Sequence, residues 1–420
     1  MTTSVRQDRE LVRATYRSHR YVLATVTAPT VERTGSRPSV NLAFVIDRSG
    51  SMAGAKLPLA KAAVEQAIGR LDADDRFAVV TYDNEVDVVL TSTPASAEAA
   101  SAARHALATI EPRGSTDLGE GWLTGCRQVA LGQRGEGVDR CLLLSDGLAN
   151  MGITDRDELA RHAAELRDRG VSTTTFGIGD DFDERLMQLI AEQGGGNFYY
   201  IEDARQIPDF ITSEVGEALD VVARGVAIEV AGPPHLDVDV LGIMPIDRRG
   251  DRTVIRLPDL VSGQELSLVI RLTFPYGQEG DAIAAAFSVR DRTGVLDPTV
   301  TTLSWRYGSS AENDAQPRDR TVDRAVATAF AARARREAVE LQRQGDYAGA
   351  ERAIRGVAKR IRAYAGSDAQ LREQVRVLED ERVVYAAPMP MASLKQAHFL
   401  STNALRSRDA TGRSRRQPPA

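Results

Sequence analysis

At 420 residues the chain is too long for one ordinary domain and points to two or three. Hydrophobic content of 42% and charged content of 27% match a soluble globular protein, not a fibrous or low-complexity chain. A formal net charge of −6 argues against a general nucleic-acid binder, which carries a basic domain.

In chain order, Met1 to Glu10 is polar and mixed in charge, without the apolar centre of a signal peptide. No uninterrupted apolar stretch approaches the length that crosses a bilayer, so the expected location is cytoplasmic. Residues 12–30 read as one or two strands. An arm of about forty residues buries too little surface to fold alone, so the arm 1–40 is expected to pair with a later β unit. Residues 41–46 form the first buried strand. Leu57, Ala60, Val64, Ile68 and Leu71 then recur at helical spacing, with Pro58 tolerated in the first turns. Phe77 to Tyr82 is a strand and Val86 to Leu90 its shorter partner. Helical stretches at 96–109 and 118–131 lead to the strand 141–145. Thr154 reads as an N-cap for a helix over 155–168, ended by Gly170. A strand at 171–178, a helix at 183–193, a strand at 197–201 and a helix at 204–222 complete the alternation. Such alternation predicts a doubly wound, mostly parallel, Rossmann-like α/β sheet over 41–222.

The pattern changes after about residue 224. Short alternating or β-branched runs at 226–231, 236–243, 252–257, 265–274, 282–290 and 299–305, punctuated by Gly and Pro, predict a β-sandwich over 223–307. With the arm paired to it, the α/β domain is expected to be inserted into this sandwich. A polar linker at 308–320 precedes a helical segment at 321–386, rich in Ala, Arg and Glu. Residues 387–420, with Pro388, Pro390, Pro418, Pro419 and several Arg, are expected to be a disordered tail. Cys126 and Cys141 form no CxxC pair, and Cys141 opens an apolar run; both are expected to be reduced.

Three strand-end loops carry the chemistry. Asp47-Arg48-Ser49-Gly50-Ser51 follows the run Leu42 to Ile46, Gly114-Ser115-Thr116-Asp117 precedes a helix, and Ser145-Asp146-Gly147 ends a strand. Ligands bind at the carboxyl ends of strands in open α/β sheets. A carboxylate with two hydroxyls on one loop is an oxygen set suited to a hard cation such as Mg²⁺. The bland alternative is that these Ser and Asp residues only cap helices. Gly194-Gly195-Gly196 lacks the Lys-Ser/Thr of a phosphate loop, and the five histidines show no zinc-ligand spacing.

With these loops, residues 40–220 resemble the von Willebrand factor type A (VWA) family, whose metal-ion-dependent adhesion site reads Asp-x-Ser-x-Ser, then Thr, then Asp. Asp47, Ser49, Ser51, Thr116 and Asp146 fit that pattern throughout. The resemblance runs toward bacterial VWA proteins similar to calcium-activated chloride channel regulators and inter-α-inhibitor heavy chains. It implies metal ligation by those five residues, with Mg²⁺ as the ion and Mn²⁺ or Ca²⁺ as alternatives. It also implies an open coordination position filled by an Asp or Glu of a protein partner, and an ATPase of the MoxR type as one such partner. The expected function is a non-catalytic, metal-dependent protein-binding module. One alternative is a scaffold whose β-sandwich and helices bind partners while the metal is structural. A second is a Mg²⁺-dependent phosphohydrolase; the haloacid-dehalogenase type needs an Asp where Ser49 stands.

Overall fold

The computed structural model describes residues 2–31, 37–135, 137–296 and 298–416, which form two compact units. One comprises residues 32–221; the other joins residues 1–31 to 222–420. Among the described residues no helix is long and apolar enough to cross a membrane.

In the first unit, a six-stranded sheet runs in the order Val86–Pro94, Arg76–Tyr82, Val40–Asp47, Val138–Ser145, Val171–Ile178, Gly195–Ile201. All neighbours are parallel except the edge strand Val86–Pro94, which is antiparallel to Arg76–Tyr82. Every residue of Val40–Asp47 and Val138–Ser145 is buried, as expected for central strands covered on both faces. The two covering layers are visible at one dipeptide. Adjacent strand residues point to opposite faces, and Thr173 accepts a hydrogen bond from Trp122 Nε1 at 3.1 Å while Thr174 donates to Glu214 at 2.7 Å. The helices Leu118–Gly132 and Ile207–Ala218 therefore lie on opposite faces. Gly125 lets the first of them approach the central strand, because a Cβ there would collide with Val45. The helix Arg156–Asp168 is capped by Asp155, which accepts from Glu158 N at 2.8 Å; Thr154, expected as the cap, lies one residue too early.

In the second unit, two sheets enclose one apolar core that includes Val22, Val26, Ile228, Val230, Ile270, Phe274, Phe287 and Trp305. The first sheet has the order Thr2–Gln7, Ser18–Thr27, Glu265–Phe274, Asp237–Val240. Ser18–Thr27 pairs along its whole length with Glu265–Phe274. The second sheet runs Ile246–Arg249, Arg252–Arg256, Ala227–Ala231, Ala282–Arg290, Val300–Gly308, Leu11–Arg13. Strands from the arm thus enter both sheets.

The C-terminal region departs from expectation in two places. The segment 308–320 is not a plain linker: Ser310–Ala315 is a helix, started by a capping box between Ser309 and Glu312. Asn313 of this helix accepts from Arg20, and Gln316 just beyond it accepts from Leu11 N at 2.7 Å, so both are tied to the arm. Nor are residues 387–416 a disordered tail. Met391–Leu405 is a helix that buries Leu394, Phe399 and Leu405 and packs on the helix Arg320–Arg343; Leu394 joins the core that Arg320–Arg343 shares with the helices Tyr347–Ala365 and Ala369–Tyr385. Gln342 Nε2 donates to the carbonyls of Tyr385 and Ala387, fixing the turn that precedes it. Beyond it, Ser407 Oγ accepts from Ser267 N at 3.0 Å and Arg415 O from Glu265 N at 2.9 Å. The short strand Asp237–Val240 covers only Ile270–Thr273 of that sheet edge, and the chain end takes up donors that it leaves. The tail expectation for 417–420 lies outside the described residues.

Candidate functional site

Asp47 is the last residue of the central strand, and Ser145 ends the strand beside it. The central strand is flanked by Arg76–Tyr82 on one side and Val138–Ser145 on the other. The chain therefore reverses its direction of sheet growth at Asp47, which is the switch point where such sheets form a crevice.

Asp47 is wholly buried. Its Oδ1 accepts from Ser49 N at 2.8 Å and its Oδ2 from Ser145 Oγ at 2.7 Å. Burial pushes this carboxyl up to about 6; the bonds from Ser49 and Ser145 oppose the rise, and the nearby Asp146 adds to it. Ser49 Oγ and Ser51 Oγ lie 3.0 Å apart, and Ser51 Oγ donates to Asp146 Oδ1 at 2.6 Å. Thr116 joins the same cluster from its own loop. A Cβ placed on Gly147 would be 3.3 Å from Thr116 Oγ1, 3.6 Å from Ser51 Oγ and 3.9 Å from Asp47 Oδ2, so oxygens from the two other loops converge on the loop that carries Gly147. All five residues singled out by sequence are brought together. The helix-cap alternative is met by none of Asp47, Ser49 and Ser51: Ser49 precedes a single 3₁₀ turn without a side-chain capping bond, and Lys56–Ile68 has no side-chain cap.

The loops are held by partners that sequence reasoning passed over. Asp83, at the end of the strand Arg76–Tyr82, accepts from Arg48 Nε at 3.0 Å and from Arg113 Nε at 2.7 Å. The Asp83 carbonyl also accepts from Asp117 N at 2.7 Å, and the Arg48 carbonyl from Arg113 N at 2.8 Å. Asn150 Oδ1 accepts from Thr116 N at 3.0 Å. The signal was present: Arg48 is a long cation in the middle of a loop whose other members are small, and Asp83 directly follows a strand. Lys56 was likewise missed. Its Nζ lies 2.5 Å from Asp146 Oδ2. Cys126 and Cys141 are both free thiols and buried.

A mostly parallel sheet with an antiparallel edge, carrying an Asp-x-Ser-x-Ser loop at its switch point, defines a VWA domain. Residues 41–213 match the family model described as von Willebrand factor type A domain, and the chain is a VWA-domain protein. It is 31% identical to the YfbK protein of Escherichia coli (strain K12) over 316 residues, which span 72% of this chain and 54% of YfbK. It is 29% identical to inter-alpha-trypsin inhibitor heavy chain H4 of Sus scrofa over 192 residues, 44% of this chain and 21% of that protein. The matched region thus spans about half or less of these two relatives' length. In fold, the chain is similar to the von Willebrand factor type A structure from Catenulispora acidiphila, with a TM-score of 0.73 at 18% identity, covering 96% of each chain.

Proposed function

We propose that the strand-end cluster binds a divalent cation, Mg²⁺ in the first place, and that the loaded site captures an acidic residue of a partner protein without catalysing a reaction. The observation that carries this reading is the buried Asp47 carboxylate, whose hydrogen-bond donors are a backbone N–H and a hydroxyl. A buried carboxylate without a fixed cation is costly, and an added ion removes that cost. The donor set fits the ion: Ser49, Ser51 and Thr116 offer neutral hydroxyls, while Asp47 and Asp146 offer countercharge, all through oxygen. Among the described residues no three His, Cys, Asp or Glu side chains form a metal cluster, so a carboxylate cage is not the competing site there. A hydroxyl-rich set leaves a cation electrophilic, and a partner carboxylate is the hard oxygen ligand that such an ion favours. The loop after Asp146 adds an apolar rim, since Leu148 and Met151 are exposed by 55% and 40%.

The test is metal titration followed by partner capture. Calorimetry of the full chain with Mg²⁺ or Mn²⁺ should give one weak site, lost in Asp47→Ala. Proteins retained from lysate by the immobilised chain with Mg²⁺ should be released by EDTA. Thr116→Ala should weaken retention although it changes no charge. Equal retention by wild type and variant, with Mg²⁺ and with EDTA, would sink this reading.

A further inference from the structure

Lys56 is the first residue of the helix Lys56–Ile68, a position where a cation opposes the positive end of the helix dipole. That helix has no side-chain cap and no acid in its first turn. Elsewhere in the same unit the helices starting at Ala97, Leu118, Arg156 and Glu184 are each capped by a Ser or Asp. Helix stability therefore does not account for Lys56. Its surroundings do: Nζ sits 2.5 Å from Asp146 Oδ2 and 3.3 Å from the Ser51 carbonyl, and the other Asp146 oxygen holds the Ser51 hydroxyl. The ammonium is placed among the oxygens proposed to hold a divalent cation. Asp146 is fully buried, but the Lys56 side chain is 27% exposed, so it can swing outward without unfolding the helix.

We propose that Lys56 is a tethered cation that occupies the acidic side of this site in the metal-free protein and yields to the divalent ion. Displaced to the rim, it supplies positive charge toward an incoming carboxylate. The inference rests on the metal-binding reading. Formal charge supports it. With both aspartates ionised and Lys56 protonated, the metal-free cluster carries one negative charge. A divalent ion turns that into one positive charge, which a single carboxylate neutralises. Without Lys56 the loaded cluster is already neutral and attracts a carboxylate less. Lys56 thus weakens the metal alone and strengthens the metal together with an acidic ligand.

Calorimetric titration of Mn²⁺ into the full-length protein at pH 8 tests this with wild type, Lys56→Gln and the charge-conserving Lys56→Arg. Lys56→Gln should bind Mn²⁺ on the order of tenfold more tightly than wild type, because a like charge at the site is gone. Lys56→Arg should stay near wild type. In water-proton relaxation of the Mn²⁺-loaded proteins, added acetate should displace bound water at higher concentration in Lys56→Gln than in wild type. Equal or weaker Mn²⁺ binding by Lys56→Gln overturns the role given to Lys56, as does unchanged acetate affinity. Absence of Mn²⁺ binding in all three proteins overturns the metal reading itself.

Discussion

Asp47 in the α/β unit and Asp323 in the β and helical unit are equally buried, and they are stabilised in different ways. Asp323 lies in the first turn of the helix Arg320–Arg343, and both its oxygens accept from Arg318 Nε, at 3.0 and 2.9 Å, with Arg320 nearby. Its charge is matched by cations that the chain itself supplies. Asp47 accepts from Ser49 N and Ser145 Oγ, and a second carboxylate, Asp146, raises it further. A buried carboxylate with its own arginine is part of the scaffold. One held by neutral donors beside another acid is suited to something that comes and goes.

The largest change should come from cutting the scaffold. Deleting residues 1–31 removes the strand that lies between Thr2–Gln7 and Glu265–Phe274, together with Val22 and Val26 of the core. Limited proteolysis should then degrade residues 222–416 while a fragment near 37–221 persists; a stable fragment near 222–308 would show that the arm is dispensable. Asp323→Ala should come next, costing about 3 kcal/mol in urea unfolding, because Arg318 is left partly buried without its anion. A loss below about 1 kcal/mol would erase the contrast between the two aspartates.

Asp47→Asn should do the opposite. Without metal the variant should be at least as stable as wild type at pH 8, since it removes a buried charge, yet it should bind no divalent ion. The pH dependence sharpens this. The folded-state pKa of Asp47, about 6, lies above its ordinary 3.8, so the folded form takes up a proton first as pH falls. Metal-free wild type should therefore gain stability relative to Asp47→Asn as pH drops through 6 toward 4, by up to about 3 kcal/mol. Parallel stability curves for the two proteins between pH 8 and 4 would contradict it.

The cluster was legible because its members keep fixed places relative to strands that announce themselves. The runs at 42–46 and 141–144 are apolar throughout, so Asp47 and Asp146 fall at strand ends without any tertiary knowledge. The arm was legible for a different reason, its inability to bury a core by itself. What stayed hidden was set by partners distant in sequence. Asp83, Arg48 and Arg113 look like ordinary surface charges until the loops close on one another. The helix Met391–Leu405 was hidden because Pro388, Pro390 and the arginines beyond it read as disorder, while the helix it packs on, Arg320–Arg343, lies some fifty or more residues earlier. Pro390 sits at that helix's N-cap, where a missing N–H costs nothing.

The chain has two tryptophans, and each unit holds one. Trp122 is wholly enclosed in the α/β unit and donates to Thr173, whereas Trp305 is enclosed against Phe274, their ring centres 5.0 Å apart. Trp122→Phe would leave a fluorophore that watches only the β and helical unit, and Trp305→Phe one that watches only the unit with the metal site. The protein thus carries its own pair of optical probes, and the order in which its two halves melt can be read from emission without attaching a dye.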